Sequence, residues 1–203
     1  MADEFLKEFL ASSAWQQMQE LLNEVLDEPI LWVVSNSGEM LLNLDNHYPE
    51  FCRIVRSNPK GLQACDESRQ THIEEARKNQ CAIVSNCPCG LVGYVLPLVL
   101  DSETMGFAGG YHLMFGSPPT PKKMDEISSL SGIDVNELKK YIKRIKVMPP
   151  TERRRLTDIL TMFIGTSSLL MKWMNRLYIS LDWEQNYAAK IMSLSEIGMI
   201  AAS

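Results

Sequence analysis

All five cysteines of the chain, Cys52, Cys65, Cys81, Cys87 and Cys89, fall between residues 47 and 100. That stretch constrains the fold more than any other. Pro49 opens a short helix carrying Phe51, Cys52 and Val55. Asn58-Pro59 then supplies an N-cap and a proline at the first helical position, so a second helix runs from Pro59 to about Lys78. Cys65 shares one side of this helix with Leu62, Arg69, His72 or Ile73, and Ala76. The stretch closes on Cys87-Pro88-Cys89-Gly90, which runs straight into the apolar strand pattern of residues 91–100. The thiols are thus dealt onto two helices and one tight loop, and can act together only if the fold makes those elements converge.

The compartment decides how such a cluster is read. The N-terminus, MADEFLKEFL, is acidic and amphipathic where a secretory signal is basic and then apolar. No window reaches the roughly 18 uninterrupted apolar residues of a membrane span. A cytoplasmic protein keeps its thiols reduced, so clustered cysteines read as metal, redox or catalytic chemistry before disulfides. A net charge of −5 argues against nucleic-acid binding, which needs a basic surface. The one basic run, Arg153-Arg154-Arg155, starts a helix pattern and reads as a solvated face.

Around this centre the pattern is mixed. Residues 4–27 form an amphipathic helix with Phe5, Phe9, Trp15, Met18, Leu22 and Val25 at three- and four-residue steps, breakable at Ser12-Ser13. Residues 30–35 and 39–44 flank Asn36-Ser37-Gly38 as a β-hairpin. Residues 81–85, 91–100 and 105–115 add three strands, with a turn at Asp101-Ser102-Glu103. Cys81 reads as core. Glycines 106, 109 and 110 inside the last strand point to a bulge or to close approach by a ligand. Two short helices follow the prolines at 118, 119 and 121, the second capped by Asp134 with Glu137 three residues on. From Glu152 to about Ile200 the pattern stays helical. Leu160, Phe163, Leu170, Met174, Leu177, Leu181, Ala188 and Ile191 lie on a heptad-like seam, interrupted by Ser167 and Glu184 and widened by Trp173, Tyr178, Trp183 and Tyr187. Unbroken, this helix would be roughly 70 Å long, which favours a dimerising helix that leaves the domain over one folding back on it.

Three readings fit the cysteines. Four thiolates, Cys52, Cys65, Cys87 and Cys89, suit an iron–sulfur cluster or zinc, although their spacing is not that of a zinc finger. His72 and His112 are further ligand candidates. A second reading places a small organic molecule in a sheet pocket lined by Trp32, Tyr94, Phe107, Tyr111 and His112, with structural cysteines or no metal at all. A third is a thiol redox enzyme. Against catalysis, the chain has no phosphate loop, no HExxH, no GxSxG and no recognisable His/Asp spacing.

The run Phe51-Cys52-Arg53-Ile54-Val55-Arg56-Ser57, then Gly61, Cys65-Asp66, Cys87, Gly90-Leu91, Pro97 and Gly106, resembles the PocR-type sensory domain over about residues 10–120. The resemblance implies a PAS-like α/β sensor of bacterial and archaeal transcriptional regulators and histidine kinases, binding small hydrocarbon derivatives such as propanediols. It maps the family cysteines onto Cys52, Cys65 and Cys87. Cys89 stands where the family often has alanine, and Tyr111 follows Gly109-Gly110 where the family commonly has glutamine.

The expectation is therefore an α/β (α+β) protein: an N-terminal helix over 1–28, a PAS-like, mostly antiparallel five-stranded sheet with inserted helices over 29–147, and a signalling and dimerisation helix over 148–203. It is a non-enzymatic cytoplasmic sensor holding a metal centre, iron–sulfur first and zinc second. It works as a homodimer with a downstream regulator or kinase, and with neither nucleic acid nor membrane as partner.

Overall fold

A computed structural model describes the backbone of residues 2–26 and 30–201, with the side chains at 2, 45, 111, 112 and 181–201 outside the description. The N-terminal amphipathic stretch forms two helices, α1 (Ala2–Ala11) and α2 (Ser13–Leu26). They part where Ser12 Oγ accepts from Trp15 N at 3.2 Å and donates to Phe9 O at 2.6 Å, because a hydroxyl that bonds the local backbone competes with helix continuation. The hairpin is β1 (Trp32–Ser35) and β2 (Met40–Asn43), antiparallel with Trp32 opposite Asn43. A 3-10 turn (Asp45–His47) leads to α3 (Glu50–Ser57) and α4 (Pro59–Asn79). Asn58 caps α4 by accepting from Lys60 N at 3.0 Å.

Then come β3 (Ile83–Asn86), β4 (Val92–Leu100) and β5 (Glu103–Phe115). Asp101 and Ser102, both at positive φ (47° and 73°), form the two-residue turn between β4 and β5, the left-handed geometry that suits the twist of a hairpin. Helices α5 (Pro121–Ser131) and α6 (Val135–Ile142) follow, the latter capped by Asp134 as its sequence predicts. A two-residue strand β6 (Val147–Met148) precedes α7 (Glu152–Ala201).

The sheet runs β2-β1-β5-β4-β3 and is antiparallel throughout that path. β6 adds a short parallel pairing to β5, so the sheet has six strands where five were expected. Strand alternation gives its two faces different partners. Val33, Tyr94, Leu96, Leu98 and Ala108 pack with Leu6, Phe9, Trp15 and Leu22 of α1 and α2, and with Leu156, Leu160 and Phe163 of α7. Trp32, Val34, Val95 and Phe107 pack on the other face with Ile73 and Ala76 of α4 and with Tyr48. A third cluster joins Phe51 and Val55 of α3, Cys89 and Leu91, Met114, and residues of α5 and α6.

Four expectations need correction. Cys81 is exposed rather than core, because the strand starts only at Ile83. Val25 is 53% exposed. The seam residues Leu160 and Phe163 are buried in the molecule's own core, so this part of α7 lies on the sheet and does not leave the domain. The seam positions Leu181, Glu184, Ala188 and Ile191, with Trp183 and Tyr187, have side chains outside the described residues. Finally, of the two readings of the β5 glycines, the bulge is met by a register shift beside Gly106, whereas the close approach is made by the protein itself. A Cβ on Gly109 would sit 2.4 Å from the Trp32 indole, and one on Gly106 would sit 2.8 Å from Leu6.

Candidate functional site

Helices α3 and α4 meet at an angle made possible by Gly61. A Cβ there would stand 2.0 Å from the Val55 carbonyl oxygen, so only a residue without one lets the two backbones touch. The contact sets Cys52 on α3 beside Cys65 on α4. The second pair comes from the β3–β4 turn. Cys87 N donates to Leu91 O at 2.7 Å and Gly90 N to Cys87 O at 2.9 Å. Gly90 takes a φ of 79°, a left-handed conformation that glycine adopts without strain. This turn aims both thiols at α4.

All four cysteines, Cys52, Cys65, Cys87 and Cys89, line one hollow, together with Trp32, Tyr48, Phe51, Val55, Arg56, Ser68 and Arg69. The hollow offers about 30 Å³ to the centre of a water molecule, room for about two water-sized occupants. Three of the thiols touch. Cys89, 3% exposed, lies against both Cys65 and Cys87, and its single S–H is shared between them. Those hydrogen bonds and burial raise the Cys89 pKa. The same contacts lower the other two: Cys65 falls to about 7, helped by the Arg56 guanidinium and opposed by burial and Asp66. Cys87 falls through the Cys89 hydrogen bond and backbone N–H donors, against burial. The contacts therefore favour keeping the proton on Cys89 and losing it from its neighbours, while the charge of Cys65 opposes ionisation of Cys87. The thiolate is the form that ligates metals and attacks electrophiles.

The cations around the thiols are held in a chain. Asp66 accepts from Arg56 at 3.4 Å and from Arg69 at 3.0 Å. The Arg56 guanidinium lies over the Tyr48 ring at 5.0 Å, and Arg69 lies over Trp32 at 5.7 Å. Two cations thus share one carboxylate beside the thiols.

The aromatic candidates do not form one pocket. Trp32 lines the cysteine hollow, and Phe107 packs on the same face of the sheet. Tyr94 packs on the opposite face with α1, α2 and α7. The backbone of Tyr111 and His112 lies in β5, and their side chains are outside the described residues. His72 is buried, with Nε2 2.6 Å from Ser85 Oγ, and burial lowers its pKa. It is bound within the fold and does not line the hollow. Sequence reasoning missed Tyr48, Ser68, Arg56 and Arg69 as site residues. The signal was available for Arg69, which shares the Cys65 side of α4 at i+4.

Among the described residues, no group of three or more His, Cys, Asp or Glu side chains stands in an arrangement that holds a metal ion. Also among these residues, no helix is long and apolar enough to cross a membrane. Neither the comparison with curated proteins nor that with solved structures returns a match. The family described as the sensory domain found in PocR matches residues 8–171, a span that takes in part of α1, all of the sheet and the sheet-bound part of α7. The chain belongs to the PocR sensory-domain family.

Proposed function

We propose that this sensory domain reads its stimulus in the cysteine hollow, and that the hollow takes a thiolate-bound metal centre, iron–sulfur first and zinc second. The observation that carries this reading is the convergence of four cysteines from α3, α4 and the β3–β4 turn on one space. Cys65, Cys87 and Cys89 already touch, and Cys52 would complete a set of four. Binding would exchange thiol–thiol hydrogen bonds for sulfur–metal bonds and release protons. Arg56 and Arg69 would offset the negative charge of a thiolate centre. The arrangement described is closed by thiol–thiol contacts, so loading requires the side chains to turn outward from one another. Because the ligands sit on three separate elements, occupancy or redox state would bias how α3, α4 and the turn pack, a local change with a distant readout.

Around that site we place a cytoplasmic homodimer feeding a regulator or kinase. Anaerobic purification followed by metal analysis and visible spectroscopy tests the central point. Iron and sulfide with charge-transfer absorbance, or about one zinc per chain, are expected, and either should be lost in Cys65→Ser and Cys87→Ser. A colourless protein that takes up neither iron nor zinc on reconstitution removes the metal reading.

The second reading is a small organic ligand in the same hollow. It is favoured by the Tyr48 and Trp32 rings beside two guanidinium groups. A metal-free protein whose thermal midpoint rises with a propanediol supports it. Peroxide turnover abolished by Cys87→Ser would instead support a thiol enzyme.

A further inference from the structure

The cysteine hollow has a larger neighbour. A solvent-open cavity of about 380 Å³ is lined by Asn46, Tyr48, Arg53, Arg56, Ser57 and Leu62. Arg53 and Arg56 stand three residues apart on α3, so their side chains lie on adjoining turns of one face. Among the described residues that line this cavity none is acidic. Arg53 is exposed, and no ion pair with it is formed among the described residues. The carboxylate one turn before it, Glu50, is engaged by Arg144. Asp66 is already divided between Arg56 and Arg69. Two guanidinium groups, those of Arg53 and Arg56, thus line one cavity.

The recognition geometry is partly set in advance. The Arg56 guanidinium is fixed over the ring of buried Tyr48 at 5.0 Å, so little side-chain freedom remains to be lost on binding. Asn46 adds an amide, while the Ser57 hydroxyl already donates to the Ile54 carbonyl at 2.7 Å. Leu62 and the Tyr48 ring supply an apolar wall, which a bare inorganic ion would leave unused.

We infer that this second cavity is a recognition subsite for the carboxylate or phosphate of a small organic acid, clamped by Arg53 and Arg56, with the organic part on Leu62 and Tyr48. A planar guanidinium pair matches such oxyanions with parallel hydrogen bonds. Arg56 lines both cavities, so the occupant sits one side chain away from the thiols. The subsite does not depend on whether those thiols hold a metal.

Calorimetric titration of the full chain tests it, with sodium propionate, glycerol phosphate, inorganic phosphate and 1,2-propanediol as probes at ionic strength fixed with sodium chloride. Saturable binding of propionate or of glycerol phosphate is expected, and the tighter of the two identifies the acid class. Affinity should fall at least about tenfold in Arg53→Gln, a loss typical of one charge-assisted contact, and recover in part in Arg53→Lys. Arg53 is exposed, so both variants should melt like the parent. Binding of inorganic phosphate as tight as that of the organic acids, binding of the neutral diol alone, or unchanged affinity in Arg53→Gln overturns the subsite. Metal content read on the same samples separates the two sites: Arg53→Gln should retain any metal that Cys65→Ser loses.

Discussion

Cys89 holds the thiol cluster in its present state. Its hydrogen bonding lowers the Cys65 pKa to about 7 while its own is raised. In metal-free protein, Cys89→Ala should therefore raise the pKa of Cys65 alkylation from about 7 toward the ordinary thiol range. The thiolate fraction at neutral pH would fall accordingly. Arg56→Gln should move it the same way by a smaller amount, since the Cys89 hydrogen bond outweighs the Arg56 charge. The pH dependence of iodoacetamide modification, resolved by peptide mass spectrometry, reads both, and an unmoved midpoint in Cys89→Ala would contradict this account.

The cysteines could be singled out in the sequence because their side-chain chemistry is unusual wherever it occurs. The residues that tune them could not. Arginine on a helix is most often a solvated charge, and only the position of Tyr48 and Trp32 beneath Arg56 and Arg69 shows these two to be part of the site. Tyr94 illustrates a different limit. Whether a strand residue faces one side or the other depends on register and bulges, and β4 and β5 slip between Val92 and Gly93 and between Leu98 and Val99.

At the scale of elements, the α3–α4 junction is the joint that assembles the site. Gly61→Ala forces a methyl group against the Val55 carbonyl, 2.0 Å away, where no rotamer change can relieve it. A loss of about 1–3 kcal/mol follows from overpacking. The control is Gly165→Ala on α7, where a Cβ meets nothing within 4 Å. Helix propensity there should raise stability by about 1 kcal/mol. Thermal melts of the two variants should move in opposite directions. Helix starts, the strands of both hairpins and the turn at Asp101-Ser102 were readable because caps, prolines and alternation are local signals. β6 was not, since two residues bounded by a proline carry no period and are strand only by virtue of β5 beside them.

At the scale of the whole molecule, α7 shows two faces. Leu156, Leu160, Phe163, Ser167 and Met171 are buried against the molecule's own core. Met162, Leu169, Trp173 and Leu177 are each at least 60% exposed, and the stripe continues across an apolar groove into Leu21 and Val25 of α2. Heptad-like spacing along this outer face, Met162 to Leu169 and then Trp173, is what a paired helix presents. Sedimentation should give a dimer mass for the parent chain and a monomer mass for Trp173→Glu with Leu169→Glu, without loss of secondary structure. A monomeric parent would remove the homodimer from the proposed function.

The body of α7 lies across the sheet from Trp32 and the thiol hollow, yet its root is tied to the edge strand that leads into the cysteine turn. Two parallel rungs bind Val147 and Met148 to the end of β5 just before the helix begins. Arg153 Nη2 donates to the Val84 carbonyl at 3.0 Å, on the strand that runs directly into Cys87. Under the proposed function, an occupant that shifts the cysteine turn would therefore be felt first at the foot of the long helix, through the Val84 carbonyl and Arg153.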